Sequence, residues 1–181
     1  HLGPCVFTRA AAMHECHTPA LRGFELRDAL VRRHTTANTV LVTFTDANLA
    51  KFAVSWARNL HSLGLPSLVG IAARLGAAER DLHRAGAGLF CADSYLTRLN
   101  SAAGRWADLV PLLNFGVDVL CSDADVGWLQ SPLPYLRAAV DAHPRAELFL
   151  AEHLGGRAEA FEPPEGATAQ FPLLETEGAA V

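Results

Sequence analysis

From Thr39 to Ser122 the chain alternates between short β-branched runs and longer stretches with apolar residues at helical spacing. No other feature constrains the fold as much. Thr39-Val40-Leu41-Val42-Thr43-Phe44-Thr45 is β-branched and aromatic and reads as a strand. Leu49, Phe52, Ala53, Trp56 and Leu60 then recur at helical spacing until Gly64-Leu65-Pro66 stops the helix. Ser67 to Ala72 is a second strand, and Gly76 to about Ala85 a second helix ending at Gly86. Gly88 to Cys91 is a third strand, residues 93–100 a polar loop, and Ser101 to Leu113 a third helix. Trp106, Leu109 and Leu113 fall on its buried face, and Pro111 kinks or shortens its last turn. Val117 to Ser122 completes the series as a strand. Strands separated by helix-length crossovers favour parallel pairing, because a parallel pair needs a crossover of a dozen or more residues. The expected fold class is therefore α/β, with a doubly wound, mainly parallel sheet and helices on both faces.

The flanks are less regular. Residues 1–36 form an N-terminal segment in which Thr18-Pro19, an N-cap followed by Pro at the first helical position, opens one amphipathic helix over 19–34. Met13-His14-Glu15-Cys16-His17 groups metal-ligating types, but a loose terminal segment with incidental His and Cys accounts for it. Residues 37–154 are the α/β domain, with a short helix at 134–140 and a fifth strand at 146–151 closing on Glu152-His153. Residues 155–181, rich in Gly, Pro, Glu and Ala, read as an extended tail. The first residue is His1 rather than Met, so the chain reads as a fragment.

Composition removes several function classes. Half of the 181 residues are hydrophobic, so the chain is globular with a sizeable core. The net charge is −4 with no basic stripe, so nucleic acid is not an expected partner. No apolar run approaches the roughly 20 residues that a membrane span needs. There is no P-loop, no G-x-G-x-x-G and no Ser-His-Asp set. The cysteines, Cys5, Cys16, Cys91 and Cys121, form no C-x-x-C. Cys91 and Cys121 lie in strand runs and are expected to be buried core thiols; Cys5 and Cys16 are the pair expected in an oxidising compartment.

In doubly wound sheets ligands bind outside the carboxyl ends of the strands. The polar residues there are Thr43, Thr45, Asp46 and Asn48, then Arg74, then Asp93 and Ser94, then Ser122, Asp123 and Asp125. Asp is depleted in strands, so the last group marks a sheet rim. Hard divalent cations take carboxylate oxygens, and a partly hydrated Mg²⁺ or Mn²⁺ uses one or two of them with substrate phosphates. A D-x-D alone is a weak signal; an apolar strand followed by S-D-x-D-V-x-W-L-x-x-P is far more specific.

The run Gly116 to Pro132, G-V-D-V-L-C-S-D-A-D-V-G-W-L-Q-S-P, resembles the signature of a nucleotide-diphospho-sugar transferase family of plants and algae that includes arabinosyltransferases and rhamnogalacturonan xylosyltransferases. The resemblance extends over about Thr39 to His153. It implies a GT-A glycosyltransferase with a Rossmann-like half, truncated here at the C-terminus, and a UDP-sugar donor. Mn²⁺ or Mg²⁺ would sit on Asp123 and Asp125, and the nucleotide contacts would come from Thr43, Thr45, Asn48 and Ser122. It also implies a glycan or glycoprotein acceptor, cell-wall chemistry, and a place in the Golgi lumen behind a type II membrane anchor absent from this chain. No catalytic residue is assigned. Thr45 and Asp46 serve equally well as helix caps. Arg74 departs from the acidic residue more often found after the family's second strand. Two other readings stay open. One is a haloacid-dehalogenase-like phosphatase, whose motif wants Thr or Val where this chain has Gly127 and belongs on a first strand. The other is a transferase-like domain that binds without turnover.

Overall fold

A computed structural model describes residues 16–92 and 102–146, with side chains from 107 onward in the second stretch. The chain divides into two compact units, His1–Ser131 and Pro132–Val181. The described residues of the first build a five-stranded sheet of β1 (Thr35–Thr36), β2 (Thr39–Thr45), β3 (Ser67–Ile71), β4 (Ala87–Cys91) and β5 (Asp118–Cys121). Its helices are α1 (Asp28–Arg33), α2 (Ala50–Ser62), α3 (Ala77–Arg84) and α4 (Ala102–Leu113). In the second unit the described element is α5 (Leu133–Ala142), which opens with Pro134 in its first turn.

The sheet is mostly parallel. β2 pairs in parallel with β3 on one side, Leu41 opposite Ser67, and with β5 on the other, Val40 opposite Val119. β3 pairs in parallel with β4. The antiparallel element is β1, turned back on β2 through Ala37-Asn38. Both turn residues have positive φ, 49° and 64°, as a tight two-residue hairpin requires. The chain thus steps outward from β2 to β3 to β4, then returns across the sheet to lay β5 against the opposite side of β2.

Alternation along the strands divides the core between two faces. Val40, Val42, Phe44, Leu68 and Phe90 share one face, which packs with Leu26 and Val31 near α1 and with Leu109 and Leu112 of α4. On the other face lie Leu41, Thr43, Val69, Ile71 and Leu89, and α2 covers β2 and β3 while α3 covers β4. Ala53, Trp56, Ala57 and Leu60 form the buried stripe of α2. Two glycines make the first face possible. A Cβ at Gly70 would overlap the Phe44 ring, and one at Gly88 would stand 2.7 Å from both His34 and Leu68.

The N-terminal helix and both cysteine expectations are corrected. The helix expected over 19–34 is a 3₁₀ turn at Pro19–Leu21 followed, after a break, by α1 alone. Gly23 adopts φ +98°, and its N–H donates to the Glu25 carboxylate at 2.8 Å. The Phe24 carbonyl then accepts the Cys91 N–H at 2.6 Å, so tertiary pairing at the end of β4 outcompetes the amphipathic pattern. Cys91 is not a core thiol, and Cys16 does not pair with Cys5: Cys16 and Cys91 form a disulfide across 75 residues. Cys121 stands outside that bridge. The expected fifth strand from residue 147 on, the tail, and Asp93 and Ser94 lie outside the described residues.

Candidate functional site

The acidic turn begins where the β5 ladder ends. Ser122 continues the pairing, its N–H donating to the Val42 carbonyl at 3.1 Å. Its carbonyl accepts the Thr43 hydroxyl at 2.9 Å, and its own hydroxyl accepts the Trp56 indole N–H at 2.9 Å. Ser122 is thereby bonded to β2 twice and to α2 once. The chain then turns: the Val126 N–H donates to the Asp123 carbonyl at 3.3 Å, with Ala124 and Asp125 at the centre. Asp at the first position of such a turn is a favoured choice. Both Asp123 and Asp125 are exposed.

Beyond the turn the chain is fixed again. Asn59 of α2 donates its amide to the Trp128 carbonyl at 2.9 Å and accepts the Trp128 N–H at 2.7 Å. The sequence signalled neither contact. Trp56 reads as packing, which it also is, being 2% exposed. Asn59 stands three residues further along the helix, a polar residue beside a buried stripe, and such residues are too common to mark a contact.

The end of β2 lies at the same edge as Asp123, since β2 and β5 run parallel with Val42 opposite Cys121. Its hydroxyls face inward. Thr43 and Thr45 are fully buried, and the Thr45 hydroxyl donates to the Asp46 carbonyl at 3.1 Å. The Asp46 carboxylate accepts the N–H groups of Asn48 and Leu49 at 2.8 and 3.0 Å, satisfying donors at the start of α2. The Asn48 side chain is exposed.

After β3, Arg74 is engaged within the protein. It donates from Nε and Nη2 to the two Glu79 oxygens, both at 2.8 Å, and lies 5.4 Å from the centre of the Phe24 ring. The Arg74 hydrogen bond holds the Glu79 carboxyl below its ordinary range, with a further contribution from the Leu75 N–H. Arg74 therefore acts first as the partner of a buried carboxylate. Asp118, at the amino end of β5, lies at the opposite edge beside Asn38.

The donor set fits a hard, partly hydrated cation. Asp123 and Asp125, one residue apart and both exposed, are carboxylate oxygen donors in a single turn. No group of three His, Cys, Asp or Glu side chains suited to a metal occurs among the described residues. A closed zinc or calcium cage needs more protein ligands than two carboxylates supply. No helix among the described residues is long and apolar enough to cross a membrane.

No family model matches the chain, and no solved structure matches it. The chain is 26% identical over 138 residues to a protein named arabinosyltransferase XEG113 from Arabidopsis thaliana. The match covers 68% of this chain and 21% of the relative, so the chain spans about a fifth of that protein's length. The comparison thus relates this α/β chain, at a distance, to a glycosyltransferase.

Proposed function

We propose that this chain is the donor-binding part of a metal-dependent, GT-A-type glycosyltransferase that takes a UDP-sugar. The observation that carries the proposal is the place of the Asp123–Asp125 turn. It follows β5 at the carboxyl edge, beside β2, where the strand order reverses. Open α/β sheets bind ligands at that crevice. The likeness to an arabinosyltransferase makes a nucleotide-sugar the fitting ligand class and a glycan or glycoprotein the fitting acceptor. The Cys16–Cys91 disulfide belongs to an oxidising compartment, which agrees with a Golgi-lumen setting.

In this reading Asp123 and Asp125 supply the protein oxygens for Mn²⁺ or Mg²⁺. The bound cation would neutralise charge on the departing diphosphate. Asn48, exposed at the end of β2, offers an amide to the nucleotide. Thr43 and Ser122 shape the floor, because their hydroxyls are already bonded within the protein. Thr45 acts likewise through Asp46, so its contribution to the nucleotide site is positional.

Calorimetric titration of UDP with and without Mn²⁺ tests the proposal. Metal and nucleotide should bind cooperatively, with coupling of about 1–3 kcal/mol. Asp125→Ala should abolish the Mn²⁺-dependent part of UDP affinity, while Asp118→Asn, at the far edge, should leave it unchanged. Wild-type affinity in Asp125→Ala would remove the site, and hydrolysis of para-nitrophenyl phosphate would favour the phosphatase instead.

A further inference from the structure

We propose that Asn59 and Trp56 of α2 are positioning residues that clamp the acidic turn at both of its feet and so fix the placement of Asp123 and Asp125. The inference rests on the donor-site reading given above and adds the helix that the site depends on. The first foot is Ser122, held by the Trp56 indole N–H at 2.9 Å. The second foot is Trp128, held through both its N–H and its carbonyl by the Asn59 amide at 2.7 and 2.9 Å. Trp56 and Asn59 are three residues apart on one helix, so their Cα atoms are separated by about 4.5 Å along its axis. The chain between the feet, Asp123 to Gly127, therefore makes a closed excursion whose ends are pinned to a single rigid element.

The chemistry of each anchor is specific. Trp56 is buried in the core beneath α2, so its donor is fixed in space. An Asn side chain carries a donor and an acceptor on a short stem and can satisfy a neighbouring residue's N–H and C=O together, as a paired strand would. Aspartate at this position would present two acceptors, one of them against the Trp128 carbonyl. Leucine would keep the bulk and lose both bonds. Neither Trp56 nor Asn59 is in the exposed carboxylate set, so their influence on a cation passes through the backbone of the turn. Partners that hydrogen-bond a metal ligand directly change metal affinity by about 10–100-fold when replaced, and a clamp acting through the backbone should fall at the lower end of that range.

The test compares Asn59→Leu, Asn59→Asp and Trp56→Phe with Arg58→Ala, an exposed α2 residue, in the full chain. Hydrogen exchange reads the clamp directly: the Trp128 amide should exchange about tenfold faster or more in both Asn59 variants and at the wild-type rate in Arg58→Ala. Mn²⁺ titration by electron paramagnetic resonance, with and without UDP, reads its consequence. Mn²⁺ affinity should fall by about tenfold or more in Asn59→Leu, while UDP affinity without metal stays unchanged. A merely structural role would lower both affinities together with the melting temperature, and that result overturns the proposal. So does wild-type Mn²⁺ affinity in Asn59→Leu when Asp125→Ala has lost it. If the wild-type chain takes up no Mn²⁺, or Asp125→Ala binds it equally well, the donor-site reading fails and exchange alone decides the clamp. Lost protection of Trp128 in Asn59→Leu then upholds it, and retained protection overturns it.

Discussion

Replacing Gly70 by alanine adds one methyl group where the sheet has no room for it. The new Cβ would overlap the edge of the Phe44 ring and stand 2.9 Å from the Ala92 methyl. Neither neighbour can retreat easily. Ala92 is fully buried, and Phe44, 5% exposed, meets Phe90 edge-on with ring centroids 6.0 Å apart. Overpacking of this kind costs about 1–3 kcal/mol, and disturbing the aromatic pair adds up to about 1 kcal/mol. We expect Gly70→Ala to destabilise by roughly 2–3 kcal/mol, a visible drop in urea midpoint with little change in slope. The assay is urea unfolding followed by tryptophan fluorescence. Phe44→Leu in the same background supplies the control. If the clash is with the ring, the double variant should cost less than the sum of the singles by at least about 0.5 kcal/mol. An unchanged midpoint for Gly70→Ala, or strict additivity, would refute the reasoning.

The Arg74–Glu79 pair and the Cys16–Cys91 bridge each carry a measurable share of stability. The Arg74 hydrogen bond lowers the folded-state pKa of Glu79 below 4.5, so the pair stabilises the fold above that pH and loses its effect as pH falls through the folded value. Urea midpoints of wild type and Glu79→Gln should therefore converge below pH 4.5, and a constant gap across that range would contradict the assignment. The Cys16–Cys91 bridge closes a loop of 75 residues, and the loop-entropy relation gives it a stabilisation of about 4.5 kcal/mol. Cys16→Ala with Cys91→Ala should lower stability by that order in the same assay; an unchanged midpoint would show that the N-terminal segment is not fastened there.

What the sequence revealed was local. The seven-residue run Thr39–Thr45 is a strand from end to end, because its β-branched and aromatic residues suit a sheet buried on both faces. The helix read from Leu49 to Leu63 is α2, Ala50–Ser62, bounded by the Gly64-Leu65-Pro66 stop. What the sequence hid was non-local. Nothing in the pattern of residues 102–121 says that β5 returns to β2 rather than continuing beyond β4. The Cys16–Cys91 pairing was hidden by its separation, and a nearer cysteine made the wrong partner attractive. The break at Gly23 was obscured by apolar residues at nearly helical spacing, and the pairing of Phe24 with Cys91 decided it. Trp56 and Asn59 escaped because a helix face shows burial in its periodicity but not the polar contacts made by atoms at its margin.

The return of β5 to β2 has a consequence for how substitutions at this edge are to be understood. α2 follows β2 directly, so it is the helix in place to reach the segment after β5, and it does so twice, from Trp56 and from Asn59. The polar residues at the edge consequently separate into two groups. Thr43, Thr45 and Ser122 direct their hydroxyls into the protein and connect strand ends to the turn. Asn48, Asp123 and Asp125 expose their side chains. A substitution in the first group disturbs backbone placement, and its effect on a ligand should be accompanied by a loss of stability. A substitution of Asn48 or Asp125 removes an exposed side chain, and its effect should fall on binding. The hydroxyl groups that look most like nucleotide ligands in the sequence are thus the ones whose removal should alter the fold, and the turn that carries the carboxylates is held at its feet, at Ser122 and Trp128.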